Sequence, residues 1–119
     1  MRAEVKQIVP NNRTLEWDEI APRVDPQANF GSFYVDVGVE GDPASDMFIA
    51  RVATPAAASR ARKKGESDYR GHIVQSFDAE TIKRTIGEYV SSVIGPDWQT
   101  IVDVLRQRMD WEFEGMTPL

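Results

Sequence analysis

The 119-residue chain has no cysteine and one histidine, His72. The missing cysteines exclude disulfides, thiolate zinc sites and a cysteine nucleophile together. With one histidine no two-histidine metal site can form, and a lone histidine at a strand start reads as a surface or hydrogen-bonded residue rather than a base. No glycine-rich phosphate loop occurs, because Gly31, Gly38 and Gly41 lack both the spacing and the lysine that such a loop needs. No apolar run approaches the length required to span a bilayer. The opening residues, Met1-Arg2-Ala3-Glu4-Val5-Lys6, have no apolar signal core, so a cytoplasmic location is expected. Positive charge is also scarce. Fourteen Lys and Arg face 19 Asp and Glu, a formal net charge of −5. That balance argues against nucleic acid as a partner, and toward a basic partner or toward solubility alone.

What is present is an ordinary globular composition. With 41% hydrophobic and 28% charged residues, the chain is expected to fold as a single domain over residues 1–119. The stretch from about Asp78 to Glu114 organises it. Ile82, Ile86, Tyr89, Val90 and Val93 recur at the spacing of a 3.6-residue period and predict one apolar helical stripe. Asp78 is placed to cap that helix and Gly95 to end it, with Pro96 stopping it or opening the next. Trp98, Ile101, Val102, Leu105 and Met109 repeat the pattern, with Arg106 and Arg108 in the expected last turn. Two helices have too little to bury against each other. They need a sheet.

The rest of the chain supplies one. Residues 3–9 read as a short strand with Ala3, Val5 and Gln7 on one face, stopped by Pro10-Asn11-Asn12. A long segment follows, expected to be an irregular loop packed down by Trp17 and Phe30. Residues 33–39 alternate cleanly, with Phe33, Val35, Val37 and Val39 opposite Tyr34, Asp36 and Glu40. Gly41-Asp42-Pro43 turns the chain into residues 46–53, where Phe48, Ala50 and Val52 oppose Met47, Ile49 and Arg51. Thr54-Pro55 then opens an alanine-rich helix ending near Gly65. Arg60, Arg62, Lys63, Lys64 and Arg70 cluster around its end and read first as a solvated helix terminus, second as an acidic-partner or phosphate patch. Residues 72–77 read as a third sheet strand at an edge or beside the first. The order predicts an α+β fold: an antiparallel meander sheet of about four strands, two C-terminal amphipathic helices on one face, and a short extra helix.

Two acidic clusters stand out. Glu16, Asp18 and Glu19 surround Trp17, and Asp110, Glu112 and Glu114 alternate with Trp111 and Phe113. Period-2 alternation puts the tail aromatics inward and its carboxylates outward. Nothing fixes the six to eight oxygens that calcium takes, so no metal site is assigned.

These residues carry a resemblance. The chain resembles the immunity protein 8 family of bacterial polymorphic-toxin and contact-dependent growth inhibition systems. The likeness runs through the opening strand, the Phe33 and Phe48 strands, Thr54-Pro55, Ile73-Val74, Phe77-Asp78 and Gly95 before Asp97-Trp98. It is most specific at the closing Trp111-Glu112-Phe113-Glu114, and it departs at Gly115-Met116, where the family usually has a further aromatic. The resemblance implies a cytoplasmic protein that binds and neutralises the toxin domain of its own system. It brings no catalytic residue, no cofactor and no defined contact set. Charge and expected exposure nominate Glu16, Trp17, Asp18, Glu19, Tyr34, Asp36, Glu112 and Glu114 as contacts to a basic toxin domain. The free protein is expected to be a monomer or weak dimer that binds neither nucleic acid nor membrane. The rival readings are an adaptor subunit of a homo-oligomer and a small carboxylate-dependent enzyme.

Overall fold

A computed structural model describes residues 1–10, 17, 20, 21, 29–63 and 71–113, with residues 61–63 by backbone alone. Three strands come first in the sheet. β1 (Ala3–Pro10) pairs antiparallel with β2 (Phe30–Val39), and β2 with β3 (Asp46–Ala53). Alternation drives this arrangement: Phe33, Val35 and Val37 of β2 and Phe48, Ala50 and Val52 of β3 are all buried on one face. β1 departs from simple alternation. Its register shifts between Val5 and Gln7, so Lys6 is an extra residue and the later side chains change face. Ile8 therefore packs on the core while Gln7, expected to face inward, is exposed. β2 also starts earlier than the alternation implied. Phe30 belongs to it, on the outer face and 55% exposed; most of the loop that Phe30 and Trp17 were expected to pack down lies outside the described residues.

Thr54 accepts the amide of Ala58 and Pro55 stands first in α1 (Pro55–Lys63), as the sequence implied. Ala53 is buried with Ala57 and Ala58 in a small cluster of its own, on the face opposite Val52. α1 thus lies over one end of the outer face. The chain then returns as β4 (His72–Ile73), parallel to β3 because a helical crossover separates the two. The expected strand over residues 72–77 is cut to two residues, and the sheet is mixed rather than wholly antiparallel.

α2 (Ala79–Ser91) and α3 (Trp98–Leu105) start alike. Asp78 accepts the Thr81 amide and Asp97 the Thr100 amide, each at 2.8 Å, a D-x-x-T repeat that satisfies orphan donors at both N-termini. Ile82, Ile86 and Val90, and then Ile101, Val102 and Leu105, are buried in one core with the inner faces of β2 and β3. Tyr89 ties the two helices by donating its hydroxyl to the Val104 carbonyl at 2.9 Å. Their ends differ from expectation. α2 stops at Ser91 with Ser92 as its cap, and Arg2 of the N-terminal segment donates to the Ser91 carbonyl at 2.8 Å. Ile94 bridges to Arg2, so the apolar spacing past Ser91 serves a strand-like pairing and Gly95 is not the helix end. α3 stops at Leu105. Met109, expected on its stripe, opens β5 (Met109–Trp111), a fifth strand antiparallel to β3. Arg106 and Arg108 therefore lie beyond the last helical turn. The described residues form an α+β fold: a mixed five-stranded sheet with α2 and α3 on one face and α1 at an end of the other.

Candidate functional site

The face of the sheet turned away from α2 and α3 carries most of the described contacts that the sequence nominated. The strand register orders it in rows. Val9 of β1 lies opposite Tyr34, Tyr34 opposite Ile49, and Ile49 opposite Asp110. In the next row Gln7 faces Asp36 and Asp36 faces Met47. Met47 is clasped by the chain after β5: its amide donates to Glu112 Oε1 at 3.0 Å, and its carbonyl accepts the Glu112 amide at 2.9 Å. Ser32 and Arg51 make the row on the other side. The strip is framed at both ends. At one end α1 covers Ala53. At the other, the turn through Gly41 (φ +86°) folds back so closely that a Cβ at Gly38 would collide with the Ala44 carbonyl oxygen. Between these ends Tyr34, Met47 and Ile49 are half-buried.

The electrostatics of the strip are one-sided. Glu4 holds Lys6 at 3.5 Å, and Asp110 holds Arg51 at 3.5 Å. Asp36 and Glu112 have no cationic partner among the described residues. Ion pairs at the surface contribute little to stability, about 0–1 kcal/mol each, but they occupy the two cations.

The other nominated residues separate from this strip. Trp17 stacks on Phe33 with ring centroids 5.3 Å apart, donates its indole N–H to the Ile8 carbonyl, and carries Lys83 over its ring at 4.3 Å. It therefore sits on the helix side of the sheet as packing. Glu16, Asp18, Glu19 and Glu114 lie outside the described residues, as does most of the basic cluster near Gly65. Glu112 is exposed as expected, but Phe113 is 42% exposed rather than buried. The chain turns after Trp111, ending the period-2 alternation, and the Phe113 and Trp111 rings meet edge-to-face at 5.0 Å.

Sequence reasoning missed two features. Val9, Met47 and Ile49 complete the strip; the alternation in β3 already set Met47 and Ile49 opposite the core. Asp46 accepts the indole N–H groups of both Trp98 (3.0 Å) and Trp111 (3.2 Å) on one oxygen, joining β3, α3 and β5. Nothing in the spacing of residues 46, 98 and 111 signals that meeting.

His72 is neither surface-exposed nor fully hydrogen-bonded, contrary to expectation. It is 3% exposed, its ring meets Tyr89 edge-on at 5.0 Å, and Nε2 has no hydrogen-bond partner among the described residues. Burial first, and the nearby Arg108 guanidinium second, lower its pKa from 6.5 to about 4, so it is neutral at physiological pH. Among the described residues no three acidic or histidine side chains converge as metal ligands, and no helix is long and apolar enough to cross a membrane. What the strip offers chemically is recognition: an aromatic and aliphatic centre flanked by carboxylates.

Comparison with curated proteins finds no match, and neither does comparison with solved structures. The family model for Immunity protein 8 matches residues 13–116, which take in every element but β1, and on that match the chain belongs to the immunity protein 8 family.

Proposed function

We propose that this chain is a cytoplasmic inhibitor that binds one basic toxin domain of its own system, one acting on nucleic acid, and neutralises it by direct contact without catalysis. Membership of the immunity protein 8 family carries the reading, since it points to toxin neutralisation in general. The basic character of the partner is argued from charge. The chain has a formal net charge of −5, and a domain that works on nucleic acid needs a cationic cleft. Opposite fields speed the encounter, which matters for an inhibitor that must reach the toxin before substrate does. Tyr34, Asp36 and Glu112 are the nominated contacts that the fold groups on one face. Trp17 is set aside because its ring is covered by Phe33 and Lys83.

The test is a purified pairing with the C-terminal domain encoded by the neighbouring upstream gene. The expected result is a one-to-one complex with a dissociation constant near 1 nM or tighter, about −12 kcal/mol. Association should slow as salt rises, and Glu112→Lys should flatten that dependence. Growth protection without any detectable complex would exclude direct inhibition.

A further inference from the structure

We infer that the toxin docks across the helix-free strip of the sheet, seating a lysine- or arginine-bearing segment on Tyr34, Ile49 and Met47 with its cations against Asp36 and Glu112. This rests on the inhibitory reading above and adds the surface that performs it.

Three observations lead to this face. The first is composition. The solvent side of α2 alternates Glu80, Lys83, Arg84 and Glu88, and α3 shows Gln99, Thr100 and Asp103, so the helix side presents mixed charge and no exposed large apolar residue within either helix. The strip presents Tyr34 between Val9 and Ile49, an aromatic centre with aliphatic flanks, the kind of group that carries binding energy at interface cores. The second is charge. Among the described residues of the sheet face, four carboxylates (Glu4, Asp36, Asp110, Glu112) meet two cations (Lys6, Arg51), both paired, which leaves Asp36 and Glu112 beside Met47 to take a cation from outside. The third concerns the competing edge of β1. There the Ala3 amide is bonded to Val93 and the Ile8 carbonyl to the Trp17 indole, so strand addition would have to break native hydrogen bonds. A second copy of the chain is a poorer occupant. A two-fold contact would set the same acidic face against itself, in a molecule already at −5.

The experiment measures binding of the full chain to the same toxin domain after Tyr34→Ala, Ile49→Lys and Asp36→Lys. Glu88→Lys on α2 serves as a charge-matched control. Tyr34→Ala and Ile49→Lys should each weaken the complex at least about thirtyfold, the scale of a 2 kcal/mol interface anchor. Asp36→Lys should mainly slow association, most strongly at low salt. Glu88→Lys should bind within about threefold of wild type. Hydroxyl-radical footprinting of the wild type needs no substitution: Met47 and Tyr34 should be protected in the complex, which keeps the inference testable if Ile49→Lys does not fold. Wild-type binding by folded variants, or equal oxidation of Met47 free and bound, would overturn the docking surface while leaving inhibition standing. Failure of the wild type to form any complex would overturn the inhibitory reading itself. A dimer of the free protein that Ile49→Lys splits without loss of toxin binding would identify the strip as a self-contact and overturn the inference.

Discussion

At the scale of single residues, His72 gives the sharpest physical consequence. In the unfolded chain its imidazole takes a proton below about pH 6.5, whereas the folded chain refuses it down to about pH 4. Between those values the unfolded state binds more protons, so stability falls as pH falls. The full loss is about 3 kcal/mol, complete near pH 4 and level beneath it. Urea titrations from pH 7.5 to 4 should show this slope in the wild type and not in His72→Gln. Equal slopes in both would mean that His72 is hydrated in the native protein. The helix caps act in a separate window. Hydrogen bonds hold Asp78 (from Ser76, then Thr81) and Asp97 (from Thr100) below the usual carboxylate pKa. Their contribution is present above the ordinary carboxylate range and is lost only in stronger acid. Residue identity alone marked the Asp78 cap, because an aspartate just before an apolar-periodic run is a local signal; the matching Asp97 cap was not read. It could not mark His72 as buried, because the contacts around it, Tyr89 of α2 among them, come from other elements.

Elements were legible where side-chain period and backbone pairing agree. The stripes of α2 and α3 are the clearest case: Ile86 and Leu105 are fully buried, and each is expected to cost about 2–5 kcal/mol when cut to alanine. Denaturant midpoints check this, and unshifted midpoints would place both side chains in water. The element ends were read less well, for one reason. Val93, Ile94 and Met109 continue the apolar spacing of the helices, yet residues 93 and 94 pair with the N-terminal segment and Met109 pairs with Ala50. Periodicity reports that a side chain is apolar and cannot say which backbone partner wins its amide. The bulge at Lys6 is the same limitation in a strand, since one extra residue turned Gln7 out and Ile8 in. The candidate face was half legible on this account. Alternation set Tyr34, Asp36, Met47 and Ile49 opposite the core, but that they form one strip with Glu112 depends on β5 pairing with β3, and the tail had read only as a short strand or extended cover with no stated partner.

At the scale of the whole molecule β3 is the hub. It pairs with β2 along its length on one side, and on the other with β5 over residues 48–50 and β4 over 52–53. A chain ending at Gln107 would keep both amphipathic helices but leave Phe48 without its cross-strand partner Trp111 and Asp46 without one of its two indoles. Such a chain should lose its cooperative thermal transition and its protection of growing cells. A truncated form that melts sharply and still protects would show β5 to be dispensable. The long reach of that pairing also has a consequence for manufacture. Sixty-five residues separate Asp46 from Trp111, and ribosomes add roughly 5–20 residues per second, so β3 emerges roughly 3–13 s before its last neighbour exists. Throughout that interval the strip around Met47 lacks one of its walls. A nascent chain halted before Trp111 therefore cannot present the complete face, however well its first four strands have paired.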